Sequence, residues 1–281
     1  MPLVSVVIIT KNGAATLAKS IPLLRQVTDD IVLIDNGSTD DTINIAGKYN
    51  CSLYQTGWDG YGANKNKGIA LARYNWILSI DADEIPDTRL LQSITELQPE
   101  GTNVVYNINY KAYYGDKLIR FGNWGRDHHI RLFNRTQVKW NESPVHETLI
   151  LPKKAIVKTI KGYLHHYSVK NKEEHDAKTI HYAKLSALKY LRCGKKAGFA
   201  KMYLAPVFHF LKSYLFLLGF LDGKAGLLIA CMAFKNTRLK YYYLNRADKA
   251  IIENTLYGPH FPVMAYKFKP NTIPGKSTFN L

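Results

Sequence analysis

Cysteine is scarce in this chain: Cys51, Cys193 and Cys231 are the only three among 281 residues, odd in number and widely spaced. Neither a disulfide framework nor a zinc knuckle can be built on that spacing, and a reducing cytoplasm suits it best. An uninterrupted apolar run of about 20 residues, enough to cross a bilayer, is missing too. The two most apolar stretches are residues 202–220, cut by Lys212, and residues 225–234, which are too few. At the start, residues 3–9 are too short for a secretory segment, have no basic lead-in and run into Thr10-Lys11-Asn12; they read as a buried strand. Acid is sparse in the second half. Residues 151–281 carry 23 Lys/Arg against 6 Asp/Glu, a balance of +17, whereas residues 1–150 carry 15 against 16, a balance of −1. That asymmetry predicts near-neutral chemistry in front and attraction to an anionic surface behind. Bulk charge alone does not choose between nucleic acid and anionic lipid as that surface.

What is present is globular: 46% hydrophobic and 21% charged residues. The first hundred residues alternate strand and helix. Residues 4–9 and 31–34 are apolar strands, residues 13–26 a helix broken at Pro22, and residues 52–55 a third strand. A helix over 63–73 and a strand over 76–80 follow. This order predicts βαβ units in a doubly wound, mostly parallel sheet, an α/β fold with a Rossmann-like nucleotide half. Residues 103–164 read as short polar–aromatic strands, and residues from 171 onward as helical. The expected organisation is one domain over 1–170, divided at 100/101 into a βαβ half and a half of polar–aromatic strands. A helical extension over 171–250 and an irregular tail over 251–281 complete it. The apolar stretches at 202–220 and 225–234, with basic flanks, predict an interfacial helical hairpin; a buried helix pair is the plain alternative.

The chemistry is concentrated where strands end. Ligands of a doubly wound sheet bind beyond the carboxyl ends of its strands. Ser79-Ile80-Asp81-Ala82-Asp83-Glu84 closes one strand, and a chain turning there can aim two carboxylates at one hard cation, Mg2+ or Mn2+. An acidic turn capping the next helix is the alternative. Asp35-Asn36-Gly37-Ser38-Thr39-Asp40 adds a carboxylate able to accept from a base or a ribose, although an Asx turn explains the same pattern. Thr10-Lys11-Asn12 offers hydroxyl, cation and amide to a nucleotide. Gly60-Tyr61-Gly62-Ala63-Asn64-Lys65-Asn66-Lys67 offers an aromatic face and two cations, but is neither a P-loop nor a Rossmann glycine fingerprint. Trp124, between Gly122 and Gly125, is a candidate platform for an acceptor sugar ring, with core packing as the alternative. Arg126 and Arg131 are candidate contacts to phosphate on an acidic acceptor, with plain ion pairs as the alternative.

In order and spacing, residues 5–12, 35–40, 62–66 and 81–84 resemble the family 2 inverting glycosyltransferases of the GT-A fold. Arg131-Leu132-Phe133, Val145-His146-Glu147, His166-Tyr167-Ser168 and Gly219-Phe220-Leu221-Asp222-Gly223 resemble the branch of lipopolysaccharide core β-1,4-glucosyltransferases. The resemblance spans roughly residues 3–245. It implies a UDP-hexose donor, a divalent metal, and a lipid-anchored glycan acceptor at the inner face of the cytoplasmic membrane. It also implies roles. Asp83 is the direct metal ligand, Asp81 lies nearer ribose and metal water, and His166 is a late metal or diphosphate contact. Glu147 is the catalytic base, and Thr10, Asn12, Asp35 and Lys65 line the nucleotide. Lys65 stands where many relatives have arginine. A Glu-Asp pair that usually holds the family base is missing, so Glu147 follows the narrower branch. A polyprenyl-phosphate acceptor is the nearest rival. Sugar-phosphate nucleotidyl transfer is disfavoured because residues 10–14 hold one glycine. A basic nucleic-acid-binding module lacks any helix-turn-helix, zinc or RNP signature.

Overall fold

The protein is described here by a computed structural model covering residues 3–125, 127–141 and 147–246. The first β-branched run forms β1 (Val4–Thr10), in which every residue is buried. Alternate side chains of a strand point to opposite faces, so a strand buried throughout must be covered twice. Val4, Val6 and Ile8 pack with Leu17 and Ile21 of α1 (Ala14–Leu24), while Val7 and Ile9 pack with Ile69 on the other face. Pro22, expected to break this helix, lies inside it. It falls in the last turn, where buried Ile21 and Leu24 hold the helix to the sheet despite the missing N–H.

Strand and helix then alternate through β2 (Asp30–Asp35), α2 (Thr42–Lys48), β3 (Ser52–Gln55), α3 (Tyr61–Leu71) and β4 (Trp76–Asp81). After β4 the chain turns into the short β5 (Glu84–Pro86). The side chain of Asp87 then caps α4 (Thr88–Thr95) by accepting from the backbone N–H of Leu90 at 2.7 Å.

The stretch expected to hold only short strands contains the two longest of the sheet, β6 (Val104–Tyr114) and β11 (Ile156–Val169). Between them lie β7 (Lys117–Leu118), β8 (His128–Asn134), β9 (Lys139–Trp140) and β10 (Leu149–Ile150). The main sheet runs β3-β2-β1-β4-β8-β6-β11-β5, with β7 on β6; β9 and β10 form a separate hairpin. β1, β2, β3 and β4 pair in parallel, β8 enters antiparallel, and β6 and β11 are parallel to each other. β6 and β11 escaped a strand-length reading because polar residues alternate with Tyr and Ile along them, as on a sheet with one face wetter than the other. Their pairing slips between Thr159 and Tyr163, where Gly162 has φ +106 and a Cβ would lie 2.2 Å from the Leu90 nitrogen. This is the mostly parallel, helix-covered sheet of a GT-A fold, with a helical C-terminal region.

That region comprises α5 (Lys172–Arg192), α6 (Ala205–Leu211) flanked by π-helical turns, and α7 (Gly223–Asn245). Its second arm is far longer than residues 225–234. α5 and α7 meet through Leu185, Leu188, Tyr241 and Leu244. No single helix among the described residues is long and apolar enough to cross a membrane, but the pair Ala200–Phe216 and Gly219–Asn245, bent by 70°, reaches that length and composition together. The tail beyond residue 246, with the prolines from Pro259 onward, lies outside the described residues.

Candidate active site

The sheet brings Thr10, Asp35 and Asp81 to one edge: Thr10 pairs with Asp35 across β1 and β2, and Ile9 with Asp81 across β1 and β4. Asp35 is wholly buried, and its carboxylate accepts from the backbone N–H of Gly37 at 3.2 Å and of Ser38 at 3.1 Å, and from the Ser38 hydroxyl. This is the Asx turn that the sequence allowed. Asn12, with φ +56, ties two loops together: its Oδ1 accepts from Thr39 N at 2.7 Å and its own N–H donates to Ser38 Oγ at 2.8 Å. Both residues therefore build the rim of the crevice at the carboxyl ends of β1 and β2. The Thr10 hydroxyl is buried without a partner.

α3 supplies the next layer through one face. Gly62, Lys65 and Asn66, spaced three and four residues apart, lie along one stripe of the helix. A Cβ on Gly62 would fall 1.9 Å from the Asn141 carbonyl, so only glycine lets α3 approach the β9–β10 hairpin this closely. Asn66 clasps that hairpin twice, donating from Nδ2 to Trp140 O at 2.9 Å and accepting at Oδ1 from Trp140 N at 3.0 Å. Lys65 is 2% exposed. Its ammonium lies 2.8 Å from Glu147 Oε1, 3.0 Å from Asp81 Oδ1 and 4.5 Å from the centroid of the Trp140 ring. Lys65, expected to line the nucleotide, thus anchors the candidate catalytic base.

Arg131 is also internal. Of its two readings, acceptor contact or ion pair, the structure shows the second: the buried guanidinium places Nη2 2.8 Å from Asp81 Oδ2 and 2.7 Å from Glu84 Oε1, and Nε donates to the Tyr110 hydroxyl. β8 carries it there because Leu78 of β4 pairs with Leu132. Glu84, 1% exposed, closes the turn by accepting from Asp81 N at 2.8 Å. Burial pushes the Glu84 carboxyl up, with Arg131 opposing. Burial also works against charge on Asp81, yet Lys65 and Arg131 together hold its carboxyl well below the usual carboxylate range. Each Asp81 oxygen is thus engaged by a cation, so Asp81 does not present itself as a direct metal ligand.

Asp83 and His166 remain. β11 lies antiparallel to β5 with His166 opposite Glu84, and Tyr167 N donates to Asp83 O at 3.0 Å. This sets His166 Nε2 3.3 Å from Asp83 Oδ2, while His166 Nδ1 meets Ser168 Oγ at 3.1 Å. Burial disfavours a charged ring at His166, but the carboxylates of Asp83, Glu84 and Asp81 outweigh it and raise the imidazole to about 9. No cluster of three or more His, Cys, Asp or Glu residues suited to a metal occurs among the described residues. Asp83 and His166 are the residues that would hold a hard divalent ion such as Mg2+ or Mn2+ if one binds here. Both side chains are partly open to solvent.

Trp124, expected as an acceptor platform, is half-buried in a packing cluster instead. Its ring faces Tyr114 at 6.1 Å and His175 at 5.3 Å and lies against Ile119, Ala225 and Ile229. Arg126, and Pro144 and His146 beside Glu147, lie outside the described residues. Tyr110 escaped the sequence reading altogether. It bonds Arg131 and packs edge-on to both His129 and His166, and nothing but the alternation of β6 could have pointed to it.

A family model described as glycosyl transferase family 2 matches residues 5–159. The chain belongs to that family. The enzyme is 28% identical over 249 residues to an uncharacterized glycosyltransferase of Rickettsia typhi, covering 83% of this chain and 84% of the relative. It is likewise 28% identical over 222 residues to LpsC of Rhizobium meliloti, named a lipopolysaccharide core biosynthesis glycosyltransferase, covering 75% and 80%. Among solved structures, Staphylococcus aureus TarS 1-349 with UDP matches at 15% identity and a TM-score of 0.43, covering 86% of this glycosyltransferase and 91% of that chain. Glucosyl-3-phosphoglycerate synthase of Mycobacterium tuberculosis with Mn2+ and UDP matches at 22% identity and a TM-score of 0.31, covering 40% and 44%.

Proposed function

We propose that this glycosyltransferase moves a hexose, glucose by the branch resemblance, from a UDP-sugar to a lipid-anchored glycan, with inversion, at the inner face of the cytoplasmic membrane. The observation that carries it is Lys65, which joins Glu147 to Asp81 and so fixes a carboxylate base beside the donor motif. The relative LpsC, named for lipopolysaccharide core biosynthesis, supports an acceptor of the lipopolysaccharide core class.

Glu147 accepts the proton of the acceptor hydroxyl as that oxygen bonds to the anomeric carbon. The bond from that carbon to the diphosphate breaks, and its electron pair leaves with UDP. A carboxylate base contributes on the order of 10^2–10^4-fold. Lys65 holds Glu147 in place until the acceptor arrives, and Arg131 fixes the turn that presents Asp83. Asp83 and His166 would hold a divalent ion, which neutralises charge gathering on the leaving diphosphate.

Calorimetry of UDP with and without Mn2+, against GDP and CMP, tests the donor reading. The expected result is Mn2+-dependent binding of UDP alone, lost in Asp83→Ala. Equal binding of all three nucleotides, or undiminished Mn2+ dependence in Asp83→Ala, would contradict it.

A further inference from the structure

The C-terminal hairpin exposes apolar side chains in a way that a helix pair packed only on itself does not. Phe199, Tyr203, Leu204, Val207 and Phe208 follow one another at helical spacing and all are exposed, Phe199 at 74%. The stripe continues round the 70° bend through Leu215, Phe216, Phe220 and Leu221, with Phe216 at 72%. Between α6 and α7 an apolar groove of about 310 Å³, lined by Val207, Phe210, Cys231 and Phe234, opens beside the same stripe. A run of large apolar side chains exposed together marks an interaction surface. Charge indicates which one. Lys195, Lys196, Lys201, Lys212 and Lys224 are all exposed along these turns, whereas the only carboxylate from residue 195 to residue 224 is Asp222, which is buried. Apolar burial and attraction to anionic headgroups then add.

Asp222 is turned inward for a reason. Its carboxylate accepts from the backbone N–H of Arg120 at 3.0 Å and of Phe121 at 2.8 Å, and its carbonyl accepts from Lys117 Nζ. Gly122 N donates to Leu217 O at 2.8 Å, and Gly219 and Gly226 pack so closely that a Cβ on Gly226 would lie 1.8 Å from the Gly219 carbonyl. The apex is therefore clamped to the loop that leads into β8, whose His129 ring stands against Tyr110 in the active site at 5.2 Å. The Gly219-Phe220-Leu221-Asp222-Gly223 motif is the joint between that loop and the apolar apex.

We propose that the bent hairpin from Phe199 to Leu227 is the face that docks on an anionic phospholipid bilayer, and that the Asp222 clamp thereby sets the loop 120–125 and the mouth of the active site at the lipid surface. This rests on the reading that the acceptor is lipid-anchored. The test is co-sedimentation of the full chain with vesicles of equal parts phosphatidylglycerol and phosphatidylcholine, with UDP binding measured in parallel. Wild type should bind these vesicles, and vesicles of phosphatidylcholine alone at least about tenfold more weakly. Phe216→Glu with Leu221→Glu should weaken binding to the mixed vesicles by at least about tenfold, the loss expected when two apolar anchors no longer bury. Val157→Glu, an exposed apolar position on β11, should bind as wild type does. Wild type left in the supernatant, because a second copy or the chain's own tail covers the face, would overturn the proposal. Undiminished binding of the Phe216/Leu221 variant would do the same. Failure of the donor reading would show separately, as loss of UDP binding in a wild type that still sediments with vesicles.

Discussion

Lys65 and Glu147 are joined at 2.8 Å although 82 residues separate them, and the same ammonium reaches Asp81 at 3.0 Å. One buried cation thus couples the candidate base to the turn that carries Asp83. The remaining Asp81 oxygen belongs to Arg131, so the site is an alternating chain of charges: Glu147, Lys65, Asp81, Arg131, Glu84.

Lys65→Met removes the shared cation. The expected loss of stability is about 2–3 kcal/mol, below the full penalty for breaking a buried pair because Asp81 keeps Arg131 and Glu147 reaches solvent. Urea unfolding gives the loss, and UDP calorimetry should show weaker binding in the same variant. A variant as stable as wild type would mean that the bridge contributes nothing to holding the hairpin.

Arg131→Met leaves Glu84 buried without its cation, and about 3–5 kcal/mol should be lost. Adding Glu84→Gln should restore part of that, since a neutral amide no longer needs the guanidinium. The double-mutant cycle should therefore show a coupling of about 2 kcal/mol. Simple additivity of the two losses would refute the pairing.

Glu147→Gln keeps the shape of the side chain and cannot take the acceptor proton. Transfer should fall on the order of 10^2–10^4-fold, with UDP affinity little changed. Transfer at the wild-type rate would send the search to another base.

His175 gives a pH signature. It is buried against Tyr114 and Trp124, its Nδ1 has no hydrogen-bond partner, and burial, aided by Lys178, lowers its pKa from 6.5 to about 4. Between those values the unfolded chain binds a proton that the folded one refuses, so stability falls as pH drops from 6.5 towards 4. The urea midpoint of His175→Phe should fall less over that window than that of wild type. Parallel curves would count against the assignment.

Local pattern made much of this legible. β-branched runs announced β1 and β2. The order of acidic motifs at strand ends pointed to a donor crevice of this family. Other features needed contacts that no window of sequence contains. Trp124 between two glycines reads equally well as a sugar platform or as packing, and only its approach to Ile229 and His175 decides for packing. Pro22 reads as a break, but it falls one residue after a side chain that the sheet buries completely.

The sequence by itself determined the alternating strands and helices, the family, the acidic turn at residues 81–84 and the basic second half, because each is written in neighbouring residues or in summed charge. The tertiary structure decided which charges meet. Lys65 could have faced a nucleotide and Arg131 an acceptor. Instead the parallel pairing of β1 with β4, the antiparallel entry of β8 and the Gly62 approach carry both cations inward. Charges at this half-buried turn are stabilised by countercharges, and in this fold Asp81 takes both cations.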